Sequence, residues 1–130
     1  MKFLTLLAVI FLFASSCQSP YESSPTLVSS EEMKKLMEMD TIQLIDVRSL
    51  KEFREGHLKG AQNLIYDNDF AHKISQLDKS KPVAVYCKTG RQSEECSTIL
   101  KKAGFKKVYD LKGGLSQWEF KEELVTDSLP

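Results

Sequence analysis

The chain has 130 residues with 18 basic and 18 acidic side chains, and 42% of its residues are hydrophobic. This length corresponds to about one domain, and the composition is typical of a globular protein rather than a disordered one. A net charge of zero without a basic stripe argues against nucleic acid as the main partner. Two histidines and three scattered cysteines lack the paired spacing of a structural zinc site, so we expect no bound metal.

The N-terminus has the pattern of a secretory signal. Lys2 precedes an apolar run over residues 3–14, which is shorter than the ~20 apolar residues that a membrane-spanning helix needs. Two serines stand before Cys17, and this arrangement resembles a bacterial lipobox, whose cysteine is acylated and becomes the new N-terminus. Lipoboxes favour Leu, Val or Ile at the position of Ala14. Because Ala14 and Ser16 also fit an ordinary signal peptidase, simple secretion with an unmodified Cys17 is the alternative.

The segment after Cys17 has the composition of a tether, with two prolines and three serines in residues 18–26. We therefore expect a domain that is lipid-anchored in the bacterial cell envelope through Cys17 and faces the periplasm, or that is secreted to the periplasm. The predicted segments are a lipoprotein signal peptide at 1–16, a lipidated N-terminus and flexible tether at 17–28, one domain at 29–124 and a C-terminal tail at 125–130.

Beyond the tether, strand patterns alternate with helix patterns. Strands are predicted at residues 42–47, 61–65, 82–87 and 107–111. Helices are predicted from the capping boxes Ser29/Glu32 and Ser49/Glu52, from Asp67 or Asn68 to about residue 77, at 93–102 and at about 116–120. Strand 82–87 is nearly all apolar and is therefore expected at the centre of the sheet. The alternation predicts an α/β fold with a parallel sheet that is covered on both faces.

Cys87 ends the predicted central strand, and ligands of open α/β sheets bind beyond the C-terminal ends of the strands. The turn at 88–92 leads into a helix, so backbone N–H groups and the positive helix end are expected around the thiol. Lys88 and Arg91 add two cations. These features favour the thiolate and predict a nucleophile for small anionic electrophiles. The alternative is a buried cysteine that only fills space.

Three motifs, in the same order, resemble the signatures of the single-domain rhodanese sulfurtransferases, and they span about residues 29–120. The chain also resembles signal-bearing rhodaneses of the phage-shock protein E type. The motifs are the loop Cys87-Lys-Thr-Gly-Arg-Gln-Ser93, the upstream residues Asp46-Val-Arg48, Glu52-Phe53, Gly56-His57-Leu58, Gly60-Ala61 and Asn63, and the downstream residues Gly113-Gly114 and Trp118.

The resemblance implies a single rhodanese-like domain with a central parallel five-stranded sheet and helices on both faces. It implies that Cys87 takes a sulfane sulfur from a donor such as thiosulfate, carries it as a persulfide and passes it to cyanide or a thiol. It implies no cofactor, and we expect a monomer. The implied substrate-binding residues are the rest of the loop, namely Lys88, Thr89, Gly90, Arg91, Gln92 and Ser93.

The Cys87 loop departs from the family pattern at the position of its arginine. It also differs from the loop of the related phosphatases. Many relatives have Gly-x-Arg-Ser, whereas this chain has Arg91 one place earlier and Gln92 in the usual position of the arginine. Rhodanese-related phosphatases have Cys-x₅-Arg, and Ser93 stands where that arginine would be. A phosphatase is therefore not expected.

A non-catalytic persulfide-carrying or ligand-sensing module of the cell envelope is the alternative function. A thiol–disulfide oxidoreductase would need a Cys-x-x-Cys motif, which this chain lacks.

Further residues have competing interpretations. Asp46 ends its strand at the same sheet edge as Cys87 and either supports the site or is a structural carboxylate paired with Arg48. His57 is expected to be a buried structural residue, because sulfur transfer to a thiolate needs no general base. Cys96 is expected to pack in the core, since a disulfide to Cys87 would need Cα atoms within ~7 Å. Trp118 is expected at the domain edge.

Overall fold

The computed structural model describes residues 24–127, which include five strands and four α-helices. The strands are β1 (Thr26–Val28), β2 (Gln43–Asp46), β3 (Gln62–Asn63), β4 (Val83–Tyr86) and β5 (Val108–Leu111). The helices are α1 (Ser30–Met37), α2 (Leu50–Glu55), α3 (Phe70–Lys73) and α4 (Arg91–Lys102). Short 3₁₀ turns lie at Ile74–Gln76, Leu115–Gln117 and Lys121–Glu123.

The strands form one parallel sheet in the order β1-β5-β4-β2-β3, with β4 at its centre. All four residues of β4 are buried, which confirms the prediction from its apolar sequence. Its side chains alternate between two hydrophobic clusters. Val83 and Val85 face α4, while Ala84 and Tyr86 face the cluster that contains Met33 of α1. The α/β fold with helices on both faces is therefore confirmed.

Two predicted capping boxes begin helices at the expected serines. The Ser29 hydroxyl accepts from the Glu32 backbone at 3.2 Å, and the Glu32 carboxylate accepts from the Ser29 backbone at 2.8 Å. Ser49 and Glu52 make the same reciprocal pair at the start of α2. Each box satisfies two of the N–H groups that a helix start leaves without partners. These local signals therefore placed α1 and α2 correctly.

The two ends of the predicted domain differ from the structure. Residues 26–28, which the composition assigned to the tether, form β1 and pair with β5. At the other end, Val125 of the predicted tail pairs with His57 through two backbone hydrogen bonds of 2.9 Å. Both segments are held by residues far away in the chain. Local composition gives no sign of such long-range pairing. The predicted signal peptide and Cys17 lie outside the described residues.

Three further details differ from the sequence prediction. The cap of α3 is Asp69, and the Asp67 side chain instead accepts from the Asp69 backbone at 2.9 Å in a turn that precedes the helix. Helix α4 begins at Arg91, two residues before the predicted start, because Gly90 makes the turn with φ of 96°. Trp118, which was expected at the edge, is 2% exposed and packs in the core on the α1 side of the sheet.

Within residues 24–127, the helices are all too short or too polar to cross a membrane.

Candidate active site

Cys87 lies directly after β4, and its thiol is surrounded by backbone N–H groups. The residue is 2% exposed. Its Sγ accepts hydrogen bonds from the backbone of Gly90 at 3.1 Å and of Ser93 at 3.4 Å, and the Ser93 hydroxyl lies 3.5 Å away. The predicted N–H groups around the sulfur are therefore present. These two N–H donors stabilise negative charge on the sulfur or on an atom attached to it.

Gly90 and the start of α4 shape the Cys87 loop, which comprises residues 87–93. Gly90 is the N-cap of α4 and has a left-handed φ of 96°, which other residues rarely adopt. The Ser93 hydroxyl donates to the Gly90 carbonyl at 3.2 Å and so closes the loop. Because α4 begins within the loop, the positive end of a three-turn helix lies against Sγ.

A second turn, residues 113–116, braces the Cys87 loop from outside. The Leu115 N–H donates to the Cys87 carbonyl and the Ser116 N–H donates to the Lys88 carbonyl, each at 2.9 Å. Gly114 lies between these contacts with φ of 61°, and a Cβ atom there would be 2.6 Å from the Cys87 and Lys88 carbonyl oxygens. Sequence reasoning noted the paired glycines but missed this bracing. The bracing turn explains why glycine is required at position 114.

The two cations of the loop line different hollows. Lys88 is exposed and lines a hollow together with Arg48 and Glu52. Arg91 is exposed and lines a separate cleft between α4 and β5. Thr89 and Gln92, the other polar side chains of the loop, are also exposed. The structure therefore brings the predicted loop residues together around Cys87, but it does not place both cations in one hollow.

Asp46 and Arg48 form a buried pair that has the geometry of a structural clamp. The Arg48 side chain donates to both Asp46 carboxylate oxygens, with Nη2 to Oδ2 at 2.7 Å and Nε to Oδ1 at 3.0 Å. The same Nη2 donates to the Gly56 carbonyl at the end of α2 at 2.6 Å. Asn63 on β3 donates to the carbonyls of Asp46 and Arg48. These contacts favour the structural interpretation of Asp46.

His57 and Cys96 are both buried. The His57 ring stacks on Phe53 at 3.8 Å between centroids, and its Nδ1 lies 2.7 Å from the Phe53 carbonyl oxygen. Cys96 is fully buried in the α4 side of the core, and burial raises the pKa of its thiol far above the ordinary value. A thiol that stays protonated is a poor nucleophile. Both residues therefore have the structural environments expected from the sequence.

Sequence reasoning missed Asp110 on β5, which is 2% exposed and packs against the first turns of α4. Burial raises the pKa of this carboxyl to about 6, the Ser93 hydrogen bond opposes the shift, and the Glu94 charge adds to it. Its Oδ1 atom has no hydrogen-bond partner among residues 24–127. The signal in the sequence was an acid inside an otherwise apolar strand beside the site.

Among the residues that the structure describes, no cluster of histidine, cysteine and acidic side chains has the geometry of a metal site. Sγ accepts from the backbone N–H groups of Gly90 and Ser93, which have no lone pair to offer a metal. The arrangement suits an anion or an anionic intermediate.

Comparison with known proteins gives a consistent result. The Rhodanese-like domain family model matches residues 29–121. The thiosulfate sulfurtransferase GlpE of Shewanella oneidensis is 36% identical over 91 residues, which cover 70% of this chain and 89% of that protein. A tRNA uridine(34) hydroxylase of Cytophaga hutchinsonii is 37% identical, but only 29% of its length is covered. The Alr3790 protein of Anabaena sp. superposes with a TM-score of 0.64 at 29% identity, covering 71% of this chain and 75% of that one.

The buried clamp generates a stability prediction. Asp46→Asn leaves the Arg48 guanidinium buried without a counter-charge, so we expect the free energy of unfolding to fall by about 3–5 kcal/mol. Lys51→Ala is the control, because Lys51 and Glu55 form an exposed pair and its loss is expected to cost less than about 1 kcal/mol. Denaturant unfolding measures both. Equal losses in the two variants would contradict the clamp.

The bracing turn generates a second prediction. Gly114→Ala combines a left-handed φ with a clash against the backbone of the Cys87 loop, and we expect it to destabilise the protein by about 3 kcal/mol or more. Gly60→Ala is matched, because Gly60 has φ of 83° but no atom within 4 Å of the added Cβ, so it is expected to cost about 1–2 kcal/mol.

Amide chemical shifts provide the second readout for this pair. The shifts of residues 87–93 are expected to move in Gly114→Ala and to stay in place in Gly60→Ala. Unchanged loop shifts in the Gly114 variant would show that the turn does not shape the loop.

Proposed function

Because this chain belongs to the rhodanese-like domain family, we propose that it is a sulfurtransferase that moves a sulfane sulfur from a donor such as thiosulfate to cyanide or a thiol acceptor. The carrier is a persulfide on Cys87. The observation that carries the proposal is the pair of backbone N–H groups, from Gly90 and Ser93, that donate to the Cys87 sulfur at the start of α4. Two N–H donors at this place suit a nucleophilic thiolate and an anionic persulfide, because both carry negative charge on sulfur.

In the first half-reaction, the Cys87 thiolate attacks the outer sulfur of thiosulfate. A bond forms between Sγ and that sulfur, the sulfur–sulfur bond of thiosulfate breaks, and sulfite leaves with the electron pair. The N–H groups of the Cys87 loop and the dipole of α4 then stabilise the negative charge on the persulfide. Exposed Lys88 and Arg91 attract the dianionic donor, and the planar Arg91 guanidinium is suited to hold two of its oxygens.

In the second half-reaction, the acceptor attacks the outer sulfur and Cys87 leaves as a thiolate. Cyanide becomes thiocyanate, and a thiol becomes a persulfide while its proton passes to solvent or to Cys87. Atoms and electrons balance without any further reactant, so the proposed chemistry requires no cofactor and no metal. We propose that the chain acts as a monomer in this scheme.

We also propose that the protein is held in the bacterial cell envelope by a lipid on Cys17 and faces the periplasm. The support comes from the sequence alone, namely the short apolar run, the small residues before Cys17 and the tether-like composition that follows. Secretion to the periplasm without a lipid remains the alternative reading of the same residues.

The central test compares two cysteine variants. Cys87→Ser is expected to abolish thiocyanate formation from thiosulfate and cyanide, because serine cannot carry the sulfur. Cys96→Ser is the matched control and is expected to keep most of the activity, since Cys96 is buried in the core. Circular dichroism checks that both variants fold. Substantial turnover by Cys87→Ser would refute the mechanism, and an inactive wild type that still forms a persulfide would favour the non-catalytic carrier.

A separate test addresses the anchor. When the full chain is produced in a bacterial host, the wild type is expected to fractionate with membranes and to be released by detergent. Cys17→Ala removes the acylated atom and is expected to block processing as a lipoprotein. Recovery of soluble wild-type protein with an unmodified N-terminal Cys17 would contradict lipidation and leave secretion.

A further inference from the structure

The end of the sheet opposite Cys87 carries a dense cluster of lysines. Residues 78–81, before β4, and residues 101–107, before β5, together contain six lysines and one acid. The rest of the chain from residue 17 onward contains 11 basic and 17 acidic side chains. Strand β4 and most of α4 separate the two segments in the sequence, so their charges meet only in the fold. We call their exposed lysines the basic edge, which comprises Lys79, Lys81, Lys102, Lys106 and Lys107.

Parallel pairing of β4 with β5 brings the two segments side by side. The first N–H group of β4 donates to the Lys107 carbonyl at 3.0 Å. The Lys79 side chain reaches the other segment, because its Cδ would lie 3.8 Å from a Cβ atom added at Gly104. Lys101 is buried, and its Nζ donates to the Lys106 carbonyl at 2.7 Å. The basic edge is therefore a fixed part of the folded surface.

Few acidic groups oppose the charge of the basic edge. Asp78 lies within it, where its Oδ2 is 3.9 Å from the Lys81 Nζ and its Oδ1 accepts from Ser80. Glu38 and Asp40 also lie at this end of the sheet, but they precede β2, on the far side of β4 from β5. Clustered like charges repel one another, and an anionic partner relieves that repulsion. The basic edge therefore suits a negatively charged surface.

The chain enters the domain at this same end of the sheet. Strand β1 runs parallel to β5 and pairs Thr26 with Tyr109, so the residues before Thr26 lie towards the end at which Lys107 precedes β5. Ser24 is seven residues after Cys17, and a fully extended chain of that length spans at most about 25 Å. A lipid on Cys17 would therefore hold the basic edge within about that distance of the bilayer.

Attachment and positive charge thus coincide at one end of the sheet. Lysine ammonium groups are compact point charges, and about four to eight basic residues held next to a membrane attract anionic lipids. We propose that the basic edge binds the anionic phospholipid surface of the membrane to which Cys17 tethers the chain. Cys87 follows the opposite end of β4, so this docking leaves the Cys87 loop facing away from the bilayer, towards donors and acceptors in solution. This inference rests on the proposed lipid anchor and is independent of sulfur transfer.

The binding test uses the processed chain from Cys17 onward, produced without the signal segment and therefore without lipid. Vesicles of phosphatidylglycerol mixed with phosphatidylcholine are expected to sediment it at low salt and to release it at high salt, whereas phosphatidylcholine alone does not bind it. Lys106→Gln/Lys107→Gln removes two charges from the basic edge, and we expect the partition coefficient to fall by about 10- to 30-fold.

Lys51→Gln/Lys112→Gln is the matched control. It removes the same charge from two exposed lysines that lie beyond the C-terminal ends of β2 and β5, and we expect less than about a threefold loss because these positions face away from the bilayer. Circular dichroism checks that both double variants fold. Equal losses in the two variants, or equal binding of the wild type to anionic and neutral vesicles, would overturn the inference.

Amide signals identify the bound face. With anionic nanodiscs that contain a paramagnetic lipid, we expect residues 79–81 and 102–107 to broaden more than residues 88–92. Broadening centred on 88–92 would overturn the inference, and so would tighter binding to a DNA duplex at the same salt concentration, which would indicate a nucleic-acid surface instead. Binding through the basic edge by a chain that a bacterial host leaves without lipid on Cys17 would support the lipid-binding surface and refute the anchor alone.

Discussion

The contact between two turns at the C-terminal edge of the sheet is the constraint on which the site depends. The bracing turn donates to the carbonyls of Cys87 and Lys88, and these bonds fix the direction in which the chain leaves β4. Further along the same loop, the N–H groups of Gly90 and Ser93 face the sulfur. The left-handed glycines at 90 and 114 make this close approach of two backbones possible.

Charge is distributed unevenly around this braced loop. Lys88 and Arg91 line separate hollows, and the buried Asp110 belongs to the lining that contains Arg91. In the proposed mechanism the N–H groups serve the persulfide in both half-reactions, and the two exposed cations attract the dianionic donor in the first.

Local signals made the central part of the molecule predictable from sequence. Strand β4 was identified by its apolar run, α1 and α2 by their capping boxes, and Cys87 by its place between a strand and a helix. Features that depend on distant pairing were not predictable: three residues at 26–28 carry no strand pattern until β5 is beside them. Asp110 likewise appears as one residue of a strand until the register places it under α4. The start of α4 at Arg91, two residues before the predicted start, could not be predicted because it depends on the left-handed backbone angle of Gly90.

The proposed sulfur transfer depends most on sulfur residing at Cys87 between donor and acceptor. The direct measurement is to mix the wild-type protein with thiosulfate in the absence of any acceptor, and to quantify sulfite together with the mass of the peptide that contains each cysteine. We expect a single burst of one sulfite per chain, with one added sulfur on Cys87 and none on Cys96. No sulfite, continuous sulfite release without an acceptor, or sulfur found on Cys96 would contradict it.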